Sequence, residues 1–105
     1  MRRGEVWWAE LPPPVGPRPV VLVSRDEAYA VRASVTVVPV TRRIRHIPVE
    51  VELGAAEGLR WDCVANADDL QTIPMSSLLE FAGALPLNKL RRLESAIKFA
   101  LSLEE

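Results

Sequence analysis

Arginine supplies the side chains of this sequence that are best suited to chemistry, and Arg18 is the first of them. The segment GPRPVVLVS, residues 16–24, places Arg18 between Pro17 and Pro19 at the start of an apolar run. A guanidinium group is planar and permanently charged, and it donates two parallel hydrogen bonds to the oxygens of a phosphate. The two prolines hold the backbone extended and limit where the side chain points. The pattern predicts a preorganised anion site at Arg18.

Thr41 is expected to lie close to Arg18. It ends the segment ASVTVVPVT, residues 33–41, whose β-branched residues predict a strand. If this strand pairs antiparallel with the one that begins at Arg18, then Arg18 lies near the end of the strand, where Thr41 is, and Arg25 lies near its start. A guanidinium beside a hydroxyl suits a phosphate ligand. The sequence therefore predicts that Arg18 and Thr41 form a phosphate-binding pair.

Three more arginines follow in the segment TRRIR, namely Arg42, Arg43 and Arg45. Together with Arg25 they are candidate contacts to an anionic ligand. Under the alternative interpretation, these arginines are exposed to solvent at the rim of a barrel or pair with Glu50 or Glu52. Thr41 would then fill an ordinary strand position. Residue types alone leave both interpretations open for this cluster, whereas the flanking prolines favour a functional role for Arg18.

Residue counts exclude several catalytic schemes. His46 is the only histidine, which excludes a histidine pair acting as acid and base, and we expect it on the surface of a strand. Cys63 is the only cysteine, which excludes an intramolecular disulfide and a cysteine zinc site, and we expect it to be buried. Asp68 and Asp69 are adjacent, so on a strand they point to opposite faces and do not share a metal ion. We expect no metal and no cofactor.

Composition and charge describe a single globular domain over residues 1–105. The chain is 49% hydrophobic and 26% charged with a net charge of −1. Residues 1–47 carry eight Lys or Arg against four Asp or Glu, whereas residues 48–105 carry five against ten. This asymmetry is compatible with a local anion site in the first half. No apolar run is long enough to cross a membrane, and no apolar leader follows the N-terminus, so we expect a soluble cytoplasmic protein without membrane contact.

The strand pattern predicts a small β-barrel. The predicted strands are GEVWWAEL (4–11), RPVVLVSRD (18–26), ASVTVVPVT (33–41), HIPVEVEL (46–53) and DCVANADDLQTI (62–73), the last providing one or two strands. A short turn, residues 12–17, joins the first two strands. Pro39 indicates an edge position or a bulge in the third, and Asn66 and Asp68 are plausible bend residues. Short strands at this close spacing are typical of small barrels.

The C-terminal segment predicts one helix that packs on the barrel. It begins at about residue 87, after Pro86, which suits a first turn. Apolar residues at three- and four-residue steps predict the packed stripe, namely Leu90, Leu93, Ile97, Ala100 and Leu101. The opposite stripe is expected to be solvated and comprises Arg91, Arg92, Glu94, Ser95 and Lys98.

Tryptophans are the remaining candidates for ligand contact. Trp7 and Trp8 are adjacent in a predicted strand, so their side chains face opposite sides of the sheet. One of them is expected in the core. The other, and Trp61 as well, could stack on a nucleic-acid base or pack in a subunit interface, and packing is favoured for an isolated tryptophan.

At these residues the sequence resembles the MazF/PemK family of toxin endoribonucleases. The resemblance is carried, in the family's order, by RRGEVWWAELPP, RPVVLVSRD, VTVVPVT, DCVANADDLQTIPMSSL and the terminal helix. It implies an SH3-like β-barrel with a packed C-terminal helix, assembled as a homodimer. It also implies metal-independent cleavage of single-stranded RNA at short sequences and inhibition by a cognate antitoxin. Family members place an arginine and a threonine in the active site, and here the matching positions are Arg18 and Thr41.

The chemistry implied by the resemblance is attack of a ribose 2′-OH on the adjacent phosphorus, which leaves a cyclic phosphate and a free 5′-OH. Arg18 stabilises the charge that grows on the phosphoryl oxygens, Thr41 orients the phosphate, and the arginines named above are RNA-binding. The general base is not identified. The chain departs from the family in its short, proline-rich loop between the first two strands, and in Arg25, which stands where many members have asparagine.

Two other functions remain open at this point. The first is a toxin of the same general fold, such as the CcdB type, which acts on a protein target such as DNA gyrase without nuclease chemistry. The second is a family member of weak or no activity that acts as a binding module, which the shortened loop supports. Cleavage of RNA by the purified protein separates both from a ribonuclease.

Overall fold

The computed structural model describes residues 1–103, and these residues form seven strands and two α-helices. The strands are β1 (Glu5–Leu11), β2 (Gly16–Leu22), β3 (Ser34–Thr41), β4 (Glu50–Leu53), β5 (Cys63–Asn66), β6 (Gln71–Pro74) and β7 (Leu78–Ala84). The helices are α1 (Ala28–Val31) and α2 (Leu87–Ala100). Short 3-10 helices lie at Ala55–Glu57, Ala67–Asp69 and Met75–Ser77. The predicted domain, residues 1–105, includes Glu104 and Glu105, which lie outside the described residues.

All strand pairs are antiparallel, in the order β4-β5-β3-β2-β1-β7, with β6 pairing with the first half of β3. The two ends of this order meet without strand pairing, through the turn after β4. A Cβ atom on Gly58 would lie 2.0 Å from the carbonyl oxygen of Ala82, and one on Gly83 would lie 2.3 Å from that of Glu57. Only glycines permit this backbone contact. The predicted fold class, a small barrel with a C-terminal helix, is confirmed.

The core of residues 1–103 consists of two hydrophobic clusters on opposite sides of the sheet. Alternate residues of β3 divide between them, because successive side chains of a strand face opposite sides. Val38 and Val40 join the cluster that contains Leu93 and Ala96 of α2, whereas Val35 and Val37 join the other. Helix α2 therefore covers one face of the barrel.

An ion pair fixes α2 to the turn that closes the barrel. Glu57 is fully buried, and its Oε2 atom accepts a hydrogen bond from Nζ of Lys89 at 2.9 Å. Its Oε1 atom accepts one from the backbone N–H of Gly54 at 2.8 Å. The carboxylate thus joins the 3-10 turn Ala55–Glu57 to the first turn of α2.

Several predicted boundaries differ from the observed ones. Strand β2 runs from Gly16 to Leu22 rather than over residues 18–26, because the chain turns after Val23 into α1, which is too short to show a helical period. The strand predicted at 46–53 begins at Glu50, and His46 lies in the preceding loop with φ of 55°, not on a strand. Strand β7 was not predicted, because its segment LLEFAGA shows no alternation of apolar and polar residues.

The segment 62–73 forms two strands joined by a bend. Asn66 accepts a hydrogen bond from the backbone N–H of Asp68 through its side chain, which confirms these two as bend residues. Asp68 and Asp69 consequently lie on a 3-10 turn and not on a strand as expected. The predicted helix is confirmed at Leu87–Ala100, but Leu101 is exposed beyond its end and does not belong to the packed stripe.

Pro39, which predicted an edge position or a bulge, lies on an interior strand and not at an edge. Strand β3 lies between β2 on one side and β5 and β6 on the other. The N–H of Thr36 donates to Oγ of Ser24, and its C=O accepts from the N–H of Val23, both just beyond the end of β2. Alternation therefore directs Pro39 to the side away from β2. There it falls in the gap between the residues paired with β6, which end at Val37, and those paired with β5, which begin at Val40. The missing N–H therefore costs no ladder hydrogen bond.

No helix within residues 1–103 is long and apolar enough to cross a membrane.

Candidate active site

The pairing of β2 with β3 places Arg18 beside Thr41. Val20 pairs with Pro39 and Leu22 with Val37, and the same register continued by two residues sets Arg18 opposite Thr41. On its other side Arg18 pairs with Ala9 of β1. Arg18 and Thr41 line the same open cavity. The register thus places Arg18 and Thr41 side by side, as antiparallel pairing of these two strands predicted.

The cavity has a volume of about 450 Å³, within the range of roughly 300–1,000 Å³ that is usual for ligand sites. Its walls come from β1, β2, the end of β3 and the segment between β4 and β5. The charged side chains that line it within residues 1–103 are all arginines, namely Arg18, Arg42, Arg43 and Arg60. Apolar and aromatic side chains, including those of Trp8, Leu59 and Trp61, form much of the remaining wall. A positive, partly apolar cavity of this kind suits an anionic ligand with an aromatic part.

Arg18 is half-buried and free to bind a ligand. Among residues 1–103, its guanidinium makes no hydrogen bond or ion pair with another side chain. Its backbone is held on both sides, because Pro17 pairs with Glu10 and Pro19 with Trp8 in the β1–β2 ladder. A fixed backbone and an unoccupied guanidinium are what a preorganised anion site requires.

The hydroxyl of Thr41 is oriented by the chain that follows it. Its Oγ1 atom accepts a hydrogen bond from the backbone N–H of Arg43 at 3.2 Å. An oxygen that accepts in this way keeps its own hydrogen for donation to another acceptor. Thr41 can therefore donate to a phosphate oxygen held by Arg18.

Arg60 and Trp61 complete the cavity. Trp61 is one of the tryptophans that the sequence offered for contact with a base, whereas Arg60 is not among the predicted site residues. The guanidinium carbon of Arg42 lies 4.3 Å from the centroid of a Trp61 ring, and that of Arg60 lies 5.4 Å away. Both distances fall within the range of cation–π contacts. The dipeptide RW, residues 60–61, could have indicated Arg60, since an aromatic residue beside arginine is typical of sites that bind single-stranded nucleic acid.

Two of the predicted arginines lie away from the cavity. Arg25 is exposed after the far end of β2, and its carbonyl accepts a hydrogen bond from the backbone N–H of Ala28. Arg45 is exposed in the loop before β4. The backbone N–H groups of Arg45 and His46 both donate to Oε1 of Glu50 at 2.9 Å, so this glutamate organises the loop and does not bind the guanidinium of Arg45. Arg42 and Arg43, in contrast, line the cavity with Arg18.

A second open cavity, of about 460 Å³, adjoins the first through Arg18. It is lined on its other sides by Leu11, Val15, Asp69 and Gln71, among others. Arg18 thus stands between two depressions of the surface. A chain-like ligand could pass from one to the other with Arg18 at its middle.

No group of three or more His, Cys, Asp or Glu side chains in residues 1–103 is arranged to hold a metal ion. Nδ1 of His46 lies 3.9 Å from Oε1 of Glu52, and both side chains are exposed to solvent. Cys63 is buried as predicted, at the inner wall of the cavity. Burial raises the pKa of its thiol above the usual value, and the nearby carboxylates of Glu57 and Asp62 raise it further.

The raised pKa predicts an unreactive thiol. Below pH 8.5, roughly the pKa of a free cysteine, Cys63 should react with iodoacetamide much more slowly in the folded protein than in urea. Because the folded state has the higher pKa, the thiol's contribution to stability is present below the unfolded pKa and is lost as the pH rises through the folded one. Mass spectrometry of the alkylated protein measures both rates. Equal rates in the folded and unfolded protein would contradict the prediction.

Comparison with known proteins identifies the family. A family model described as the PemK-like, MazF-like toxin of type II toxin-antitoxin systems matches residues 2–101. The chain belongs to this family. Endoribonuclease MazF9 of Mycobacterium tuberculosis is 39% identical to it over 98% of each chain. The resemblance to MazF/PemK toxins that the sequence motifs predicted is confirmed.

Solved structures of MazF toxins have the same fold. The Mycobacterium tuberculosis toxin MazF-mt6 superposes with a TM-score of 0.90 and 31% identity, covering 96% of this chain and 99% of that one. A mycobacterial endoribonuclease in complex with its cognate antitoxin superposes with a TM-score of 0.88 and 28% identity, covering 100% of this chain and 98% of that one. The MazF-like chain thus matches these two toxins over 96% and 100% of its length.

Proposed function

We propose that this protein is a metal-independent endoribonuclease toxin of a type II toxin–antitoxin system, with residues 1–105 acting as one domain. The observation that carries the proposal is the unpaired guanidinium of Arg18 beside the hydroxyl of Thr41, in a cavity whose charged side chains are arginines. Membership of the MazF-like family and the relatives named as endoribonucleases support it. The substrate is single-stranded RNA.

The reaction is an internal transfer at one phosphodiester. The ribose 2′ oxygen forms a bond to phosphorus and gives up its proton, while the bond from phosphorus to the 5′ oxygen breaks and that oxygen takes up a proton. The products are a 2′,3′-cyclic phosphate and a 5′-OH end. Negative charge grows on the two non-bridging oxygens during the attack, and Arg18 stabilises it there with two parallel hydrogen bonds.

The other residues bind and orient the RNA. Thr41 donates its hydroxyl hydrogen to a phosphoryl oxygen, and Arg42 and Arg43 contact phosphates beside the cleaved bond. Arg25 and Arg45, which lie outside the cavity, contact the RNA chain at a greater distance from the reaction. A guanidinium donates hydrogen bonds but accepts none, so Arg18 acts through its charge and not as a base, and solvent or a phosphate oxygen removes the 2′-OH proton.

The same cavity is the surface through which a partner protein would inhibit the toxin. A cognate antitoxin with an acidic or apolar segment would cover the arginines and thereby block RNA. The toxin acts in the cytoplasm as a homodimer. Exposed apolar residues in described parts of the fold, such as Phe81 on β7 and Phe99 on α2, are available for contacts between chains.

Cleavage of RNA in the presence of EDTA tests this function. The purified protein, free of antitoxin and shown to be folded, is incubated with mixed single-stranded RNA, and the new ends are mapped. We expect discrete cuts with cyclic-phosphate and 5′-OH ends. Absence of cleavage across a broad RNA panel would refute the ribonuclease and would favour a toxin with a protein target or an inactive binding module.

A further inference from the structure

Trp61 is a large aromatic side chain that the fold leaves open to solvent at the wall of the arginine-lined cavity. It is 49% exposed. Trp7, in contrast, packs edge-on against Phe81 at a centroid distance of 6.0 Å and donates its indole N–H to Glu5 at 2.9 Å. Packing within the chain therefore accounts for Trp7 but not for Trp61.

The position of Trp61 is fixed by the turn that closes the barrel. Gly58, with φ of +83°, ends the 3-10 turn three residues before Trp61 and lies against the backbone of Ala82. The buried carboxylate of Glu57 holds the same turn to Lys89 of α2. The segment that carries the indole is thus anchored at its start on both β7 and α2. An anchored, exposed aromatic ring loses little conformational freedom when a ligand binds.

The two arginines beside the indole give it a charge environment suited to RNA. The guanidinium carbons of Arg42 and Arg60 lie 4.3 and 5.4 Å from a Trp61 ring centroid. Both guanidinium groups therefore lie over a face of the indole in the free protein. A base that stacks on that face takes the place of a guanidinium, which is then free to bind a phosphate of the same nucleotide. Trp61 lines the same cavity as Arg18 and Thr41, so one nucleotide can contact the reactive pair with its phosphate and the indole with its base.

We propose that Trp61 is the stacking platform for the base adjacent to the cleaved phosphodiester. Arg42 and Arg60 hold the indole in the free protein and bind the flanking phosphates in the complex. This inference rests on the proposed ribonuclease function and adds to it a specificity-determining position. Stacking accepts every base, because each has an aromatic face, and it favours the bases that stack most strongly. A purine beside the cut is therefore preferred.

Substitution of Trp61 by leucine tests the platform. The W61L variant keeps an apolar side chain but has no aromatic face, whereas W61F keeps a smaller aromatic ring. Loss of one stacked base typically weakens binding roughly 5- to 150-fold. We expect W61L to raise KM by a factor in this range with little change in kcat, to lose the purine preference at the cut, and to be partly rescued by W61F.

Substitution of Arg60 tests the role of its charge. Arg60→Ala should lower the slope of log Kd against log salt by about 0.7 for single-stranded RNA, the contribution of one phosphate contact. Arg92→Ala is the matched control, because Arg92 is exposed on α2 and does not line the cavity. The control should leave both Kd and the salt slope unchanged.

Binding and cleavage are measured together so that the two proposals fail separately. Binding uses a fluorescently labelled single-stranded RNA whose 2′ positions are methylated, and thermal melting verifies that each variant is folded. If wild-type protein cuts RNA while W61L keeps the wild-type KM, Kd and cut pattern, the stacking platform is refuted and the ribonuclease stands. If wild-type protein binds but does not cut, the ribonuclease is refuted, and the Kd of W61L still decides the platform. If wild-type protein does not bind single-stranded RNA, both are refuted.

Discussion

Arg18→Ala is expected to lower the rate of RNA cleavage by roughly 10²–10³-fold, which is the usual cost of losing one donor to a developing oxyanion. The effect should fall on the chemical step, because the charge that Arg18 stabilises is greater in the transition state than in the bound substrate. The fold should be unaffected, since the side chain makes no hydrogen bond or ion pair within residues 1–103. Single-turnover cleavage with excess protein measures this rate directly.

Matched variants separate charge from geometry in this prediction. Arg18→Lys keeps the positive charge but donates no planar pair of hydrogen bonds, so it should recover only part of the rate. Thr41→Ser keeps the hydroxyl and should be nearly wild type, whereas Thr41→Val loses it and should be slow. Arg92→Ala should cleave at the wild-type rate. Full activity of Arg18→Ala would remove Arg18 from the mechanism.

The sequence was sufficient to predict the pair at the centre of the site because that pair depends on local patterns. The prolines around Arg18 and the β-branched run that ends at Thr41 each mark a strand end, and antiparallel pairing of consecutive strands brings those ends together. The cavity wall that contains Arg60 was not predictable in the same way. Arg60 reaches the site only because the turn after β4 packs against β7, through contacts of Gly58 with Ala82 and Gly83. These residues are distant in sequence.

The errors in the strand assignment have the same origin. Strand β7 has exposed apolar residues such as Leu79 and Phe81, so its segment lacks the alternation that indicates a half-buried strand. A proline in a strand usually indicates an edge position or a bulge, but β3 changes partner from β6 to β5 at Pro39 and leaves a gap for it. A change of partner within one strand is a property of the whole sheet. No local pattern reports it.

The buried ion pair between Glu57 and Lys89 should be the most sensitive point of the fold. Glu57 is fully buried, and Lys89→Met would leave its carboxylate with the backbone N–H of Gly54 as its remaining partner among residues 1–103. Breaking a buried pair in this way costs about 3–5 kcal/mol, because one charge stays in the interior uncompensated. Urea denaturation measured by circular dichroism should therefore show a lower free energy of unfolding for Lys89→Met.

Two further variants decide whether the pair is the cause. Arg91→Met removes a positive charge from an exposed position of the same helix and should change the free energy of unfolding by less than about 0.5 kcal/mol. The double variant Glu57→Gln, Lys89→Met removes both charges and should regain part of the loss, since a neutral amide is cheaper to bury than an unpaired carboxylate. If Lys89→Met were as stable as Arg91→Met, the pair would not hold the closing turn. The ion pair also anchors the turn that leads to Arg60 and Trp61, so the contact that stabilises the barrel lies at the start of the segment that forms this wall of the cavity.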